Sequence, residues 1–199
     1  MGKIVSFSGT DNSGKTTQKK LLKKYCKTSG VSFKSTEFAF GYYLLRPILS
    51  QFKNHSIKFD HKDLVKRNSK SILKIWFLAA FVDIWIGYLF HLRPMKRKYD
   101  IVLCDRFYTD VWVNLLFYGY SPLWAYKVFV RLLPKADVSI LFLVEAELGH
   151  SRINDEFPLS YYLEQVKIYK DLSQRIDGVV IDANRDKKTI FKEIKKVVI

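Results

Sequence analysis

Gly9-Thr10-Asp11-Asn12-Ser13-Gly14-Lys15-Thr16-Thr17 is the stretch that decides the fold of this chain. It fits the pattern G-x-x-x-x-G-K-[ST] and comes directly after an apolar run that contains Ile4, Val5 and Phe7. The two glycines let the backbone curl, so that successive N–H groups converge on phosphate oxygens at the start of a helix. The pattern therefore predicts a phosphate-binding loop between a strand and a helix, and with it a nucleotide site.

Two side chains of this loop have chemistry of their own. Lys15 is placed to reach the β and γ phosphates of a bound nucleotide. The hydroxyl of Thr16 is placed to ligate Mg²⁺, a hard cation that shares its coordination shell with phosphates and waters. We expect the nucleotide-binding residues of the loop to be Gly9, Thr10, Asn12, Ser13, Gly14, Lys15, Thr16 and Thr17.

The length and composition predict one cytoplasmic domain that spans residues 1–199. Of the 199 residues, 48% are hydrophobic, which is enough to bury a core without disulfides or metals. No cleavable signal precedes the first apolar run, so we expect a cytoplasmic protein. Cys26 and Cys104 have neither a C-x-x-C spacing nor a cluster of partners, so we expect both to be reduced.

The chain is strongly basic. Lys and Arg number 34 against 19 Asp and Glu, which gives a formal net charge of +15. This balance suits an anionic substrate, and it would equally suit nucleic acid or an acidic membrane. The densest groups of lysine and arginine, at residues 19–24 and 93–98, are interpreted as solvated faces. The net charge therefore does not distinguish between these kinds of partner. We expect neither nucleic acid nor a membrane as a partner.

Apolar runs alternate with helical segments along the whole chain, which is typical of a parallel sheet covered on both faces. We therefore predict an α/β protein with a three-layer P-loop NTPase fold, in which a five-stranded parallel sheet has helices on both faces. The predicted strands are Ile4–Ser8, Ser32–Phe38, Ile101–Cys104, Ser139–Val144 and Val179–Ile181. The predicted helices are Lys15–Thr28, Tyr42–Phe52, Lys62–Leu92, Asp110–Leu132, Leu159–Arg175 and Lys187–Val198.

One helical segment, Ile75–Leu92, approaches the length and apolarity of a membrane span. Asp83 near its middle disfavours that interpretation, because a central aspartate costs about 2.5 to 3.5 kcal/mol on insertion scales. A span would also interrupt the α/β alternation. A buried helix, or one whose outer face meets a second subunit, explains the many aromatic residues better, and we expect a homodimer.

A second functional element follows the apolar run 101–104. Asp105 ends that run with a carboxylate, as expected for the acidic residue that faces Mg²⁺ across from the phosphate loop. Arg106 follows at once, and a fixed cation at this place can neutralise a phosphoryl group during its transfer. A structural salt bridge at the strand end is the alternative interpretation. We predict that Lys15, Asp105 and Arg106 are catalytic and that Thr16 and Asp105 organise the metal.

The loop GTDNSGKTTQ, followed at this distance by Asp105-Arg106-Phe107, resembles the thymidylate kinase family. That family has G-x-D-G-x-G-K-T-T-Q in its loop and D-R-Y in its later motif, and the resemblance extends over the whole chain. It implies transfer of the γ-phosphoryl group of Mg·ATP to dTMP. In the family, the aspartate of the loop holds the 3′ hydroxyl of the nucleoside monophosphate, and Asp11 occupies that position here.

The resemblance also implies further site residues. Glu37 remains from the family's R-E-P-G-G segment, and Arg46 lies where an arginine approaches the acceptor phosphate. A short lid at about residues 146–158 would close over the phosphates, and Arg152 would supply its catalytic arginine; a plain surface arginine is the alternative. Asp182 and Ala183 lie in the segment that borders the adenine ring.

Some positions depart from the family pattern. Val82 or Ile84 stands where the family's third helix has an arginine for the acceptor phosphate. Phe81 or Phe77 could stack on the acceptor base, although an aromatic residue on a helix is more often part of the core. Two alternatives therefore stay open: a deoxynucleoside kinase that acts on thymidine or another nucleoside, and a non-catalytic nucleotide-binding P-loop protein.

Overall fold

A computed structural model of the chain describes residues 2–37, 70–117, 121, 123–152 and 157–199. Within these ranges five strands form one sheet in the order β2-β3-β1-β4-β5, with every neighbouring pair parallel. The strands are β1 (Lys3–Gly9), β2 (Phe33–Glu37), β3 (Ile101–Asp105), β4 (Val138–Leu143) and β5 (Val179–Asp182).

Eight α-helices surround the sheet in the described part of the chain. The predicted bounds of the first and the last agree with the structure. The predicted helix Tyr42–Phe52 lies outside the described residues. The helices are α1 (Lys15–Thr28), α2 (Lys70–Gly87), α3 (Arg93–Lys98), α4 (Tyr108–Phe117), α5 (Leu123–Phe129), α6 (Ala146–Ser151), α7 (Leu159–Ser173) and α8 (Lys187–Val198).

The sheet separates two hydrophobic layers. Ile4, Val102 and Leu141 face a layer that includes residues of α2, α4, α5 and α7. Val5 and Phe7, on the other face of β1, belong to a layer with residues of α1 and α8. Successive side chains of a strand point to opposite faces, so a strand that is apolar on both faces must be covered on both. This arrangement confirms the predicted three-layer α/β fold.

The prediction of one helix over Asp110–Leu132 is wrong. The structure has two α-helices, α4 and α5, followed by a 3-10 turn at Val130–Leu132, and Ser121 between them is not helical. The start of α4 is also earlier than predicted, at Tyr108. Asp110 is therefore a first-turn residue, and its carboxylate accepts a hydrogen bond from the N–H of Phe107 at 2.7 Å. A capping interaction of this kind fixes where a helix begins.

The aromatic segment before β3 is helical, as predicted, but not uniformly so. Helix α2 passes into α3 through a π-helical turn at Tyr88–Leu92. Leu78 and Val82 of α2 are more than half exposed, and Phe90 is 73% exposed. None of the helices in the described ranges combines the length and the apolarity that a membrane crossing requires.

Candidate active site

A cavity of about 900 Å³ opens at the carboxyl ends of β1, β2 and β3, where ligands bind in open α/β sheets. It brings together the phosphate loop, the end of β3 and the loop after β5, three segments that are far apart in the sequence. Among the described residues, its lining includes Asp11, Asn12, Ser13, Gly14, Lys15, Thr16, Thr17, Gln18, Glu37, Asp105, Arg106, Arg152, Phe157, Ala183, Arg185, Lys187 and Ile190.

Two glycines shape the phosphate loop. Gly9 has a φ of 129°, and a Cβ there would lie 2.0 Å from the carbonyl oxygen of Phe142. Gly14 has a φ of 84° and is the N-cap of α1. Both conformations are in the region that favours glycine. Thr10 ties the loop to β4, because its hydroxyl oxygen accepts a hydrogen bond from the N–H of Val144 at 3.2 Å.

Lys15 is folded into the loop. Its Nζ donates hydrogen bonds to the carbonyl oxygens of Gly9 at 2.9 Å and Thr10 at 2.5 Å, and it lies 3.3 Å from the hydroxyl oxygen of Ser13. Burial lowers the pKa of Lys15 from 10.5 to about 8, against the opposing charges of Asp11 and nearby Asp110. The structure thus places a cation with an unusually low pKa at the centre of the loop.

Asn12 carries the loop's third unusual backbone conformation. Its φ is 58°, which asparagine tolerates better than most residues because its short polar side chain bonds locally. The side-chain amide donates to the carbonyl oxygen of Gly149 at 3.1 Å and to the hydroxyl of Tyr162 at 2.9 Å. These bonds join the phosphate loop to α6 and α7.

Thr16 and Asp105 both line the cavity. The described residues contain no cluster of three or more histidine, cysteine, aspartate or glutamate side chains that could hold a metal by themselves. A hydroxyl and one carboxylate are nevertheless the donor set that Mg²⁺ uses when substrate phosphates and waters complete its shell. The donor chemistry of this pair therefore fits Mg²⁺. The carboxylate of Asp105 forms an ion pair with Lys19 of α1, which the sequence analysis had not singled out.

Asp11 and Arg106 form an ion pair within the cavity. Nη2 of Arg106 donates to Oδ1 of Asp11 at 2.7 Å. Burial by itself raises the pKa of Asp11, but the charges of Arg106 and Lys15 outweigh it, helped by hydrogen bonds from α7, so that the pKa lies below its ordinary value. Asp11 is therefore an ionised hydrogen-bond acceptor at neutral pH.

Helix α7 supplies the other partners of Asp11. Oδ2 of Asp11 accepts from the hydroxyl of Tyr161 at 2.8 Å and from Nε2 of Gln165 at 3.0 Å. Oε1 of Gln165 in turn accepts from the backbone N–H of Asp11 at 3.1 Å. Tyr161 and Gln165 are four residues apart and so lie on one face of the helix. Sequence reasoning missed both, because nothing in a helix of this composition marks which polar residues face a loop 150 positions away.

A second carboxylate, Asp110, lies behind the loop and is 1% exposed. It accepts hydrogen bonds from the hydroxyl of Ser8 at 2.5 Å, from the N–H of Gly9 at 3.2 Å and from the hydroxyl of Tyr169 at 2.7 Å. Burial and the charge of Asp110 raise the pKa of Tyr169 well above its ordinary value, so this hydroxyl remains a donor. Sequence reasoning missed Asp110 as well, because it is one of several acidic residues near a helix start.

Arg106 has a strained backbone. Its φ is 61°, which is uncommon for any residue other than glycine. The N–H of Arg106 donates to the carbonyl oxygen of Phe7 at 2.9 Å, and the next residue, Phe107, is held by Asp110. Neighbouring bonds of this kind maintain a conformation that costs about 1 to 3 kcal/mol. They direct the guanidinium of Arg106 toward Asp11.

Arg152 bridges the phosphate loop and the loop after β5. It donates to the carbonyl oxygen of Asn12 at 2.8 Å and to that of Ala183 at 2.9 Å. Ala183 lines the cavity, whereas Asp182 is the last residue of β5 and accepts from the N–H of Asn184. The predicted lid segment includes residues 153–156, which lie outside the described residues.

The remaining predicted acceptor residues have different locations. Glu37 lies beside Asp105 at the end of β2 and lines the cavity. Phe81 is not among the lining residues, and its ring packs edge-on against Trp112 and Phe129 in the core. The aromatic residue that the described structure brings to the cavity is Phe157 instead. Arg46 lies outside the described residues, as do the side-chain contacts of Phe77.

The five-stranded parallel sheet, the glycine-hinged phosphate loop and the cavity at the strand ends define a P-loop α/β fold. Comparison with known proteins gives a more particular likeness. The chain is 25% identical over 205 residues to the probable thymidylate kinase 1 of Saccharolobus solfataricus, a match that covers 100% of this chain and 97% of that protein. It is 26% identical over 215 residues to the thymidylate kinase of Desulfotalea psychrophila, covering 96% of each.

A third relative is the probable thymidylate kinase of Sulfurisphaera tokodaii, which is 26% identical over 194 residues, with 92% of this chain and 88% of that protein covered. No family model matches the chain. The chain is thus similar, along nearly its full length, to proteins named thymidylate kinase.

Proposed function

We propose that this protein is a nucleoside monophosphate kinase that transfers the γ-phosphoryl group of Mg·ATP to dTMP and so produces dTDP. The observation that carries the proposal is the ion pair between Arg106 and Asp11, which lies in the same cavity as Lys15, Thr16 and Asp105. A loop that only binds phosphate does not need an acid paired with a cation from another strand. The similarity to three thymidylate kinases supports the same reaction.

On the donor side, the loop amides and Lys15 hold the phosphates, and Ala183 borders the adenine ring. Arg152, which donates to the carbonyl oxygen of Asn12 in the loop, is proposed as the lid arginine that neutralises the migrating group. Phosphoryl transfer asks the protein mainly for positioning and for stabilisation of charge. Mg²⁺, held by Thr16 and Asp105 with the donor phosphates, would neutralise charge that develops on the migrating group. Arg106 supplies a second positive charge, from the protein itself.

On the acceptor side, Asp11 accepts a hydrogen bond from the sugar, and Glu37 faces the acceptor from the end of β2. Three hydrogen bonds already reach the carboxylate of Asp11, which can accept about four, so one further donor can be accommodated. A sugar hydroxyl is a donor of the right kind. Arg46 is proposed to approach the acceptor phosphate.

A deoxynucleoside kinase is the second candidate. The sequence of α2 contains no arginine for an acceptor phosphate: Val82 is exposed and Ile84 is buried in the core. An uncharged sugar hydroxyl would not need that arginine. Glu37, beside Asp105, could then serve as the base that takes the hydroxyl proton.

The decisive experiment is a screen for ADP release from ATP with each nucleoside monophosphate and with thymidine as the acceptor. We expect dTMP to give the highest kcat/KM. Turnover of thymidine but not dTMP would favour the second candidate. Nucleotide binding without any ADP release would favour a non-catalytic protein. The Lys15→Ala variant, prepared in parallel, excludes activity from a contaminating kinase.

We further propose that the protein is a cytoplasmic homodimer. The support is the exposed apolar face of α2, which includes Leu78 and Val82, because single domains rarely leave such faces uncovered. Light scattering after gel filtration should give twice the chain mass for the wild type. A Val82→Glu variant should elute as a monomer, and a wild type that is already monomeric would contradict this proposal.

A further inference from the structure

Lys19 differs from the exposed lysines of α1. Its side chain is only 11% exposed and its ammonium group pairs with the carboxylate of Asp105, whereas Lys20 and Lys24 are exposed. A lysine is rarely buried to this extent without a partner that offsets its lost hydration. Lys19 therefore contacts a residue that lines the cavity and does not belong to the solvated face that the sequence predicted.

The position of Lys19 on α1 follows from helix geometry. It lies four residues after Lys15 and three after Thr16, so its side chain is a neighbour of each of them on the helix surface. Thr16 and Asp105 both line the cavity. The ammonium group of Lys19 thus reaches the carboxylate that we propose for the metal.

A second carboxylate is close to this pair. Glu37 lies beside Asp105, because β2 and β3 are parallel neighbours and these two residues are in register. Burial, together with the charges of Lys23 and Lys20, lowers the pKa of Lys19, and the charge of Glu37 opposes that shift. Two carboxylates at adjacent strand ends repel each other unless a cation lies between or beside them.

We propose that Lys19 is a resident counter-ion of Asp105 and Glu37, which neutralises these carboxylates in the nucleotide-free protein and gives way to a divalent cation when the metal–nucleotide complex binds. This inference rests on the proposed function in one respect, the assignment of Asp105 as the metal-facing residue. Lys19 and a divalent cation compete for the same carboxylate. Removing the lysine should therefore strengthen metal binding, whereas removal of a merely structural lysine would not.

The test is a titration of the nucleotide-free protein with Mn²⁺, in which the signal of the free ion is followed by electron paramagnetic resonance. The Lys19→Met variant should bind Mn²⁺ about three- to fivefold more tightly than the wild type, which corresponds to the upper range for a partly exposed ion pair. The Lys20→Met variant is the matched control, since it removes an exposed lysine from the next position, and it should bind like the wild type.

A double variant, Lys19→Met with Asp105→Asn, locates the ion, because its affinity should fall back to or below that of the wild type. Equal affinities for Lys19→Met and Lys20→Met would overturn the proposal, as would a gain that persists without the Asp105 carboxylate or the absence of measurable Mn²⁺ binding. Circular dichroism checks the fold, and Lys19→Gln replaces the methionine variant if that variant does not fold. The Mn²⁺ titration contains neither nucleotide nor acceptor. A negative result in the titration can therefore be distinguished from a negative result in the ADP-release screen.

Discussion

Arg106 and Asp11 are joined by a hydrogen-bonded ion pair of 2.7 Å, which links the end of β3 to the inside of the phosphate loop. One residue is proposed to neutralise the migrating phosphoryl group and the other to hold the acceptor sugar. Their pairing means that each orients the other before any substrate binds. Pre-organisation of this kind lowers the cost of reaching the reactive geometry.

Asp11→Asn tests this relationship. The variant keeps the size of the side chain but removes the charge that holds Arg106. Hydrogen bonds to charged groups contribute about 1.5 to 3 kcal/mol, so we expect kcat/KM for dTMP to fall by about 10- to 100-fold. KM for ATP should change little, since the donor phosphates are proposed to bind to other residues of the loop. An equal loss of kcat/KM for dTMP and for ATP would contradict the assignment of Asp11 to the acceptor.

The hydroxyl of Tyr161 offers a finer test of the same network. Tyr161→Phe removes one hydrogen bond to Asp11 and leaves the ring stacked on Phe157. We expect KM for dTMP to rise by about three- to tenfold, less than for a full loss of a hydrogen bond to a charged group, because Gln165 still donates to the Asp11 carboxylate. Leu163→Ala, at a half-exposed position on the same helix, is the control and should leave KM unchanged. A Tyr161→Phe enzyme with the wild-type KM for dTMP would show that the hydrogen bond from Gln165 alone is enough to hold the Asp11 carboxylate.

The low pKa of Lys15 predicts a pH dependence of nucleotide binding. Lys15 carries its positive charge below about pH 8 and loses it above, and bound phosphates favour the charged form. Affinity for a non-hydrolysable ATP analogue should therefore fall by up to about tenfold per pH unit above pH 8. Isothermal titration calorimetry at a series of pH values measures this effect. Lys15→Met should bind weakly with a flat profile over that range, and Lys20→Met should follow the wild type.

Asp110 should be important for stability. Its buried carboxylate accepts bonds from Ser8, Gly9, Phe107 and Tyr169. An asparagine at this position would direct its side-chain N–H group toward some of these donors, and two donors cannot form a hydrogen bond with each other. We therefore expect Asp110→Asn to lower the free energy of unfolding by about 3 kcal/mol.

Asp177→Asn is the control for this experiment, because the Asp177 side chain is 94% exposed in its pair with Lys135. It should change the free energy of unfolding by less than about 0.5 kcal/mol. Urea unfolding monitored by circular dichroism measures both variants. A similar stability for the two would mean that the buried bonds contribute little net stabilisation.

Local sequence determined much of this molecule. The glycine spacing of the loop fixed the turn that leads into α1, since those backbone conformations are available to few other residues. The alternation of strand-like runs with helical segments was sufficient to predict five strands, and the signal is clearest for β1 and β3, which are largely buried and mostly apolar. The motif Asp105-Arg106 predicted a charged end of β3. Each of these signals depends on residues that are neighbours in the chain.

Only the tertiary structure decided which side chains these motifs meet. Sequence reasoning placed Lys19 on a solvated face and named neither Tyr161 nor Gln165, although the three contact Asp105 and Asp11. Their partners come from elements more than 80 residues away, and packing of the helices on the sheet decides which face of each helix turns toward the site. The local sequence around a polar helix residue does not indicate which distant residue it contacts. The sequence by itself thus determined the glycine-hinged loop at the start of α1, and the fold decided which residues hold the carboxylates around it.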